Sequence, residues 1–139
     1  MNQEVLSMRL QQASSAPDPL SAWGGLVEEL LREGAELSDV KTILRFIEAN
    51  PSQDFGTPGP LVHFVERFYR AGYEQEVVTS VQRRATTHNT WMLNRLINGA
   101  KSPEERLSLA SVMRDVAFQA NSDERTRHLA RNFVAQLDG

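Results

Sequence analysis

Nearly every stretch of this chain repeats its apolar residues at the helical period, and none keeps the period-two alternation of a half-buried strand. Leu61, Phe64, Val65, Phe68 and Tyr69 follow the full i, i+3, i+4, i+7, i+8 pattern. Leu20, Trp23, Val27, Leu30 and Leu31 form another stripe, and Val40, Ile43, Leu44 and Ile47 a third. Further stripes run through Val77, Val78 and Val81, then through Met92, Leu93, Leu96 and Ile97. The last two use Leu109, Val112, Met113, Val116, Ala117 and Ala120, and then Leu129, Phe133, Val134 and Leu137. A chain patterned this way buries its apolar faces by packing helix on helix. The expected fold class is all-α.

Punctuation between the stripes sets the boundaries. Asp18-Pro19 reads as an N-cap followed by proline at the first helical position, and Gly34 ends that run. Ser38 is the expected cap of the next helix, which Asn50-Pro51 stops because the residue before proline is pushed out of the helical region. Ala71-Gly72-Tyr73 reads as a C-terminal glycine followed by a hydrophobic contact, and Asn98-Gly99 as another helix end. Ser102-Pro103-Glu104-Glu105 is a strong helix start, with Asn121 and Ser122 as candidate caps for the last helix. With a first helix over residues 4–13, this gives about eight helices of about ten to eighteen residues on loops of about two to six. Short connections make neighbours antiparallel. No copied repeat motif is present, so the expected architecture is a degenerate α-α superhelix resembling a HEAT stack, or an irregular bundle, in a single helical domain over residues 1–139.

Composition narrows function by exclusion. There is no cysteine, which removes disulfides and thiolate metal sites. No apolar run is long enough to span a bilayer, and the start Met1-Asn2-Gln3-Glu4-Val5 lacks the basic and apolar regions of a signal peptide. A cytoplasmic location is the expectation. A net charge of −3 gives no support to direct nucleic-acid binding. The charge is uneven: residues 1–54 hold nine acids and four bases, residues 55–101 three acids and six bases. An acidic first third can steer a basic partner or simply solvate a helix face.

The helical pattern is interrupted once by a loop rich in glycine and proline, Gly56-Thr57-Pro58-Gly59-Pro60, between Asp54-Phe55 and a helix carrying His63 and Glu66 beside its apolar stripe. His63, Glu66 and Arg70 share a face. The pair can serve acid–base chemistry, metal ligation, partner contact or a structural lock. A zinc site needs three or four ligands, and His88 and His128 lie in distant segments without a ligand motif. No metal or cofactor is expected. Prolines at 58 and 60 also remove backbone donors that a phosphate-binding loop would need. In the segment 86–98, Trp91, Arg95 and Asn98 align at i, i+4 and i+7, which suits a binding hot spot and equally a buried helix bonding a neighbouring loop. Trp23-Gly24-Gly25 places two glycines in a helical run, where they would admit the backbone of a neighbouring helix.

Phe55-Gly56-Thr57-Pro58-Gly59-Pro60-Leu61-Val62-His63-Phe64-Val65-Glu66 together with Thr90-Trp91-Met92-Leu93-Asn94-Arg95 resembles the small all-helical immunity proteins of bacterial polymorphic toxin systems, of the contact-dependent inhibition or type VI effector kind. That resemblance spans roughly residues 20–135, and only these two motifs are specific. It implies a non-enzymatic cytoplasmic protein that binds a cognate toxin domain and occludes its active site or substrate cleft. Many such toxins are nucleases with basic clefts, so an acidic inhibitor surface would complement them. Glu28, Glu29, Glu33, Glu36 and Asp39 are the first candidates for contact, with Asp54, His63, Glu66, Trp91 and Arg95 from the two motifs. The alternative is a small helical-repeat adaptor that presents a groove to a peptide or cellular protein. An enzyme using His63 and Glu66 is a third reading.

Overall fold

The computed structural model describes residues 1–120 and 122–138. Among them the chain is all-α: eight helices, with no strand. The helices are α1 (Gln3–Ser14), α2 (Pro19–Glu33), α3 (Leu37–Ala49), α4 (Gly59–Glu66), α5 (Tyr73–Arg83), α6 (Thr87–Asn98), α7 (Pro103–Ala117) and α8 (Glu124–Asp138). Contacts divide the chain into two compact units, Met1–Glu76 and Val77–Gly139, with the division inside α5.

Several boundaries follow the sequence signals directly. The Asp18 carboxylate accepts the Ser21 N–H at 3.3 Å, and Pro19 opens α2. At its far end Gly34 adopts a φ of 90°, which only glycine takes without strain. Ser102 accepts the Glu105 N–H at 3.1 Å, while the Glu105 carboxylate reaches back to the Lys101 N–H at 3.0 Å. Asn2 caps α1 through the Glu4 N–H at 2.8 Å.

Three boundaries differ from expectation. Helix α3 starts from Glu36, not Ser38, because the Asp39 carboxylate takes the Glu36 N–H at 2.9 Å and draws the chain into the helix two residues earlier. Helix α4 ends at Glu66, short of Phe68 and Tyr69. There the N–H groups of Arg67, Phe68 and Tyr69 bond three residues back, which tightens the chain into turns. Arg70 then takes a φ of 67° with its N–H held by the Glu74 carboxylate at 3.0 Å. The last helix is capped by Asp123, which accepts the Thr126 N–H at 2.7 Å. That bond, opposed by partial burial and helped by Arg125 and Arg127, holds the Asp123 carboxyl below the ordinary aspartate range. Ser122 instead donates its hydroxyl to the Gln119 carbonyl at 2.9 Å, and Asn121 lies outside the described residues.

In the first unit one helix hairpin stacks on the next. Helices α1 and α3 pack together in one layer, α2 and α4 in the other, and α1–α2 and α3–α4 close the two hairpins. Gln3 on α1 ties the first layer, donating to Asp39 at 2.9 Å and accepting from Thr42. The core centres on Trp23, whose ring lies 5.9 Å from Phe46 and 5.3 Å from Phe55, while Phe46 and Phe55 are 5.8 Å apart. Edge-on and tilted pairs at these spacings are favoured by the ring quadrupoles. The buried Trp23 Nε1–H donates to the Leu10 carbonyl at 3.1 Å, which satisfies its polar atom.

The second unit is a three-helix packing of α6, α7 and α8. Its buried side chains are mainly aliphatic and small, including Met92, Leu93, Leu96, Ile97, Met113, Val116, Ala117 and Ala130. Asn89, fully buried, organises its start. Its Oδ1 accepts the Thr86 N–H at 2.7 Å, and its Nδ2 donates to Ser80 Oγ at 3.1 Å and to the Arg84 carbonyl at 2.9 Å. Thr86 Oγ1 accepts the Asn89 N–H in return, at 3.1 Å.

Candidate partner-binding surface

Helix α2 turns Trp23, Leu26 and Leu30 inward, and Glu28, Leu31, Arg32 and Glu33 face water. Glu28 and Glu33 are exposed and make no ion pair among the described residues. Glu29 is half-buried and pairs with Arg9 of α1. Glu36 is exposed and accepts a long bond from the Ser38 hydroxyl at 3.4 Å. Asp39 stands apart: it is 2% exposed, with one carboxylate oxygen on the Glu36 N–H and the other on Gln3. Its charge serves the start of α3, and the acidic surface narrows to Glu28, Glu33 and Glu36.

The Gly/Pro connection is built from its first residue onward. Asp54 is exposed, and its carboxylate takes the Gly56 N–H at 2.8 Å, an Asx-type turn that aims Phe55 into the aromatic cluster. Gly56 has a φ of 89°, and a Cβ there would fall 2.7 Å from the Gly59 Cα. The Thr57–Pro58 peptide bond is cis. Helix α4 then buries Leu61, Val62, Phe64 and Val65, which leaves His63 exposed and Glu66 half-buried on the other side. Because α2 and α4 are packed neighbours, the acidic helix and the His63/Glu66 helix lie side by side. Among the described residues no three His, Asp or Glu side chains converge to hold a metal ion.

On α6 the Arg95 guanidinium sits over the Trp91 ring at 5.1 Å, and the His88 ring lies 5.5 Å from the same indole on its other flank along the helix. Trp91 is half-buried and Arg95 exposed, so stacking gives the cation an ordered position at the surface. Asn98, exposed in the last turn of α6, keeps its i+7 place relative to Trp91, and His88 adds a ring one turn before the indole.

One surface feature carried no sequence motif, and one motif has a different outcome from the one expected. A groove of about 510 Å³ runs between α1 and α3, with Met8 and Phe46 among its walls and Arg45 and Glu4 at its rim. Its only sequence trace is Met8, an apolar side chain on an otherwise polar stripe of α1. The glycine pair is that motif. A Cβ at Gly24 or Gly25 would meet nothing within 4 Å, so among the described residues no neighbouring helix uses the space they were expected to provide.

Comparison with protein-family models, with curated proteins and with solved structures finds no match for this chain.

Proposed function

We propose that the protein is a non-enzymatic immunity protein that binds a cognate bacterial toxin domain in the cytoplasm and occludes its active site or substrate cleft. The observation that carries this reading is the charge of the first unit, twelve acids against six bases over residues 1–76, with Glu28, Glu33 and Glu36 exposed. Such a surface complements the basic cleft of a nuclease and accelerates encounter with it. Glu28 and Glu33 stand on α2, anchored by Trp23 and Leu30, and Glu36 caps α3, so little backbone ordering would accompany binding.

Co-expression tests the reading. The chain should co-purify with the toxin domain encoded beside its gene and protect cells from it; absence of both sinks the proposal. Glu28→Lys with Glu33→Lys should slow association by roughly tenfold at low salt, measured by stopped flow, and should change dissociation less. An unchanged on-rate would remove α2 from the interface.

The groove between α1 and α3 supports a second reading, a helical-repeat adaptor that holds a peptide between stacked hairpins. An unrelated operon around the gene would favour it over immunity.

A further inference from the structure

Helix α7 exposes two large apolar side chains on a unit whose net charge is positive. Leu107 is 69% exposed and Phe118, at the C-cap, 81% exposed, while Leu109, Ala110, Met113, Val116 and Ala117 bury the opposite face. At about 100° per residue Leu107 and Phe118 fall within about 20° of each other, roughly three turns and 16 Å apart along the axis. They form one stripe. Between them along the axis lie Ser111, exposed and small, on one side of the stripe and Arg114 on the other.

Glu104 and Asp115 repeat the same spacing on the neighbouring stripe, both exposed and neither in an ion pair among the described residues. The base bordering the other side, Arg114, is bound to Asp138 of α8 at 2.7 Å. Residues 77–139 hold nine bases and six acids, so an apolar stripe edged by two free carboxylates is opposite in sign to the unit that carries it.

We propose that this face of α7 docks an amphipathic, basic helix of a partner protein, with apolar side chains seated on Leu107 and Phe118 along the Ser111 side of the stripe and Lys or Arg side chains on Glu104 and Asp115. Two knobs three turns apart, with Arg114 between them drawn toward Asp138, match a second helix laid along the first on the Ser111 side. The carboxylates select its sign, and they disfavour an anionic lipid surface. This docking does not depend on the role assigned to the acidic α2.

The test uses the full chain, labelled with nitrogen-15, and two amidated helical peptides of about four turns. Both carry leucines on one stripe; the neighbouring stripe is lysine in one and glutamate in the other. Amide shifts should concentrate in residues 104–118, and the lysine peptide should bind at least about tenfold more tightly. Phe118→Ser should weaken it about tenfold, and Asp115→Lys should abolish the preference between the peptides. Circular dichroism of each variant separates lost docking from lost fold. Three results would overturn the proposal: no shifts in α7 up to about 1 mM peptide, equal binding of both peptides, or self-association that Phe118→Ser removes, which would assign the face to a second copy.

Discussion

The two units solve the same packing problem with different materials. The first buries Trp23, Phe46, Phe55, Phe64 and Tyr73, and carries a net charge of −6 from twelve acids and six bases. None of the second unit's aromatic residues, Trp91, Phe118 and Phe133, is buried; its core is aliphatic and its net charge is +3. A few large rings can fix the crossing of several elements at one point, since each ring touches several neighbours. Without rings inside, the second unit is specified at its start by a buried asparagine whose amide nitrogen and oxygen are both hydrogen-bonded. One unit is pinned through shape, the other through hydrogen bonding.

The largest expected effect tests the first half of that contrast. Trp23→Ala removes the centre of the aromatic cluster and the donor to the Leu10 carbonyl, and should destabilise the protein by about 4 kcal/mol in denaturant unfolding. A loss near 1 kcal/mol would mean that the cluster collapses around the gap and is not what pins the unit. Asn89→Ala tests the other half. It strands the Thr86 N–H and the Arg84 carbonyl and should lower stability by about 3 kcal/mol. If Asn89→Ala proved as mild as a surface substitution, the second unit would be held by its aliphatic contacts alone.

Sequence patterning conveyed the helices well and the joints between them less well. Asp18, Gly34, Asn50 and Ser102 are local signals: each acts on backbone within a few residues, so its meaning survives without knowledge of the fold. Ser38 misled because Asp39, whose carboxylate sets α3's start through the Glu36 N–H, is itself held by Gln3, thirty-six residues away. Phe55 looked like part of a loop; its place in the core depends on Trp23 and Phe46, which belong to two different helices. The candidate site follows the same division. Which glutamates lie on the outer face of α2 is a matter of helical period, whereas the burial of Asp39 and the Arg9–Glu29 pair are tertiary facts.

The smallest effect concerns the acidic helix itself. Gly24→Ala and Gly25→Ala place a methyl group in open space on a regular helix and should each stabilise the protein by up to about 1 kcal/mol, read as a raised unfolding midpoint. If they stabilise the chain and leave binding of the proposed toxin partner intact, the glycines are unconnected with that interface. Stabilisation with loss of binding would place a partner's backbone against them.

Phe55 also bears on which parts of this chain can change length. The Gly/Pro connection has a loop's backbone but is fastened in the middle by a buried ring, with Gly56 pressed against Gly59. Adding or deleting a residue there would move the ring out of its socket, so its length is as constrained as that of a core helix. Residues 15–17, which join α1 to α2 and leave Ser15 and Pro17 exposed, have no such anchor. Insertions, tags and cleavage sites belong there, and the seemingly softest part of the chain is among its least editable.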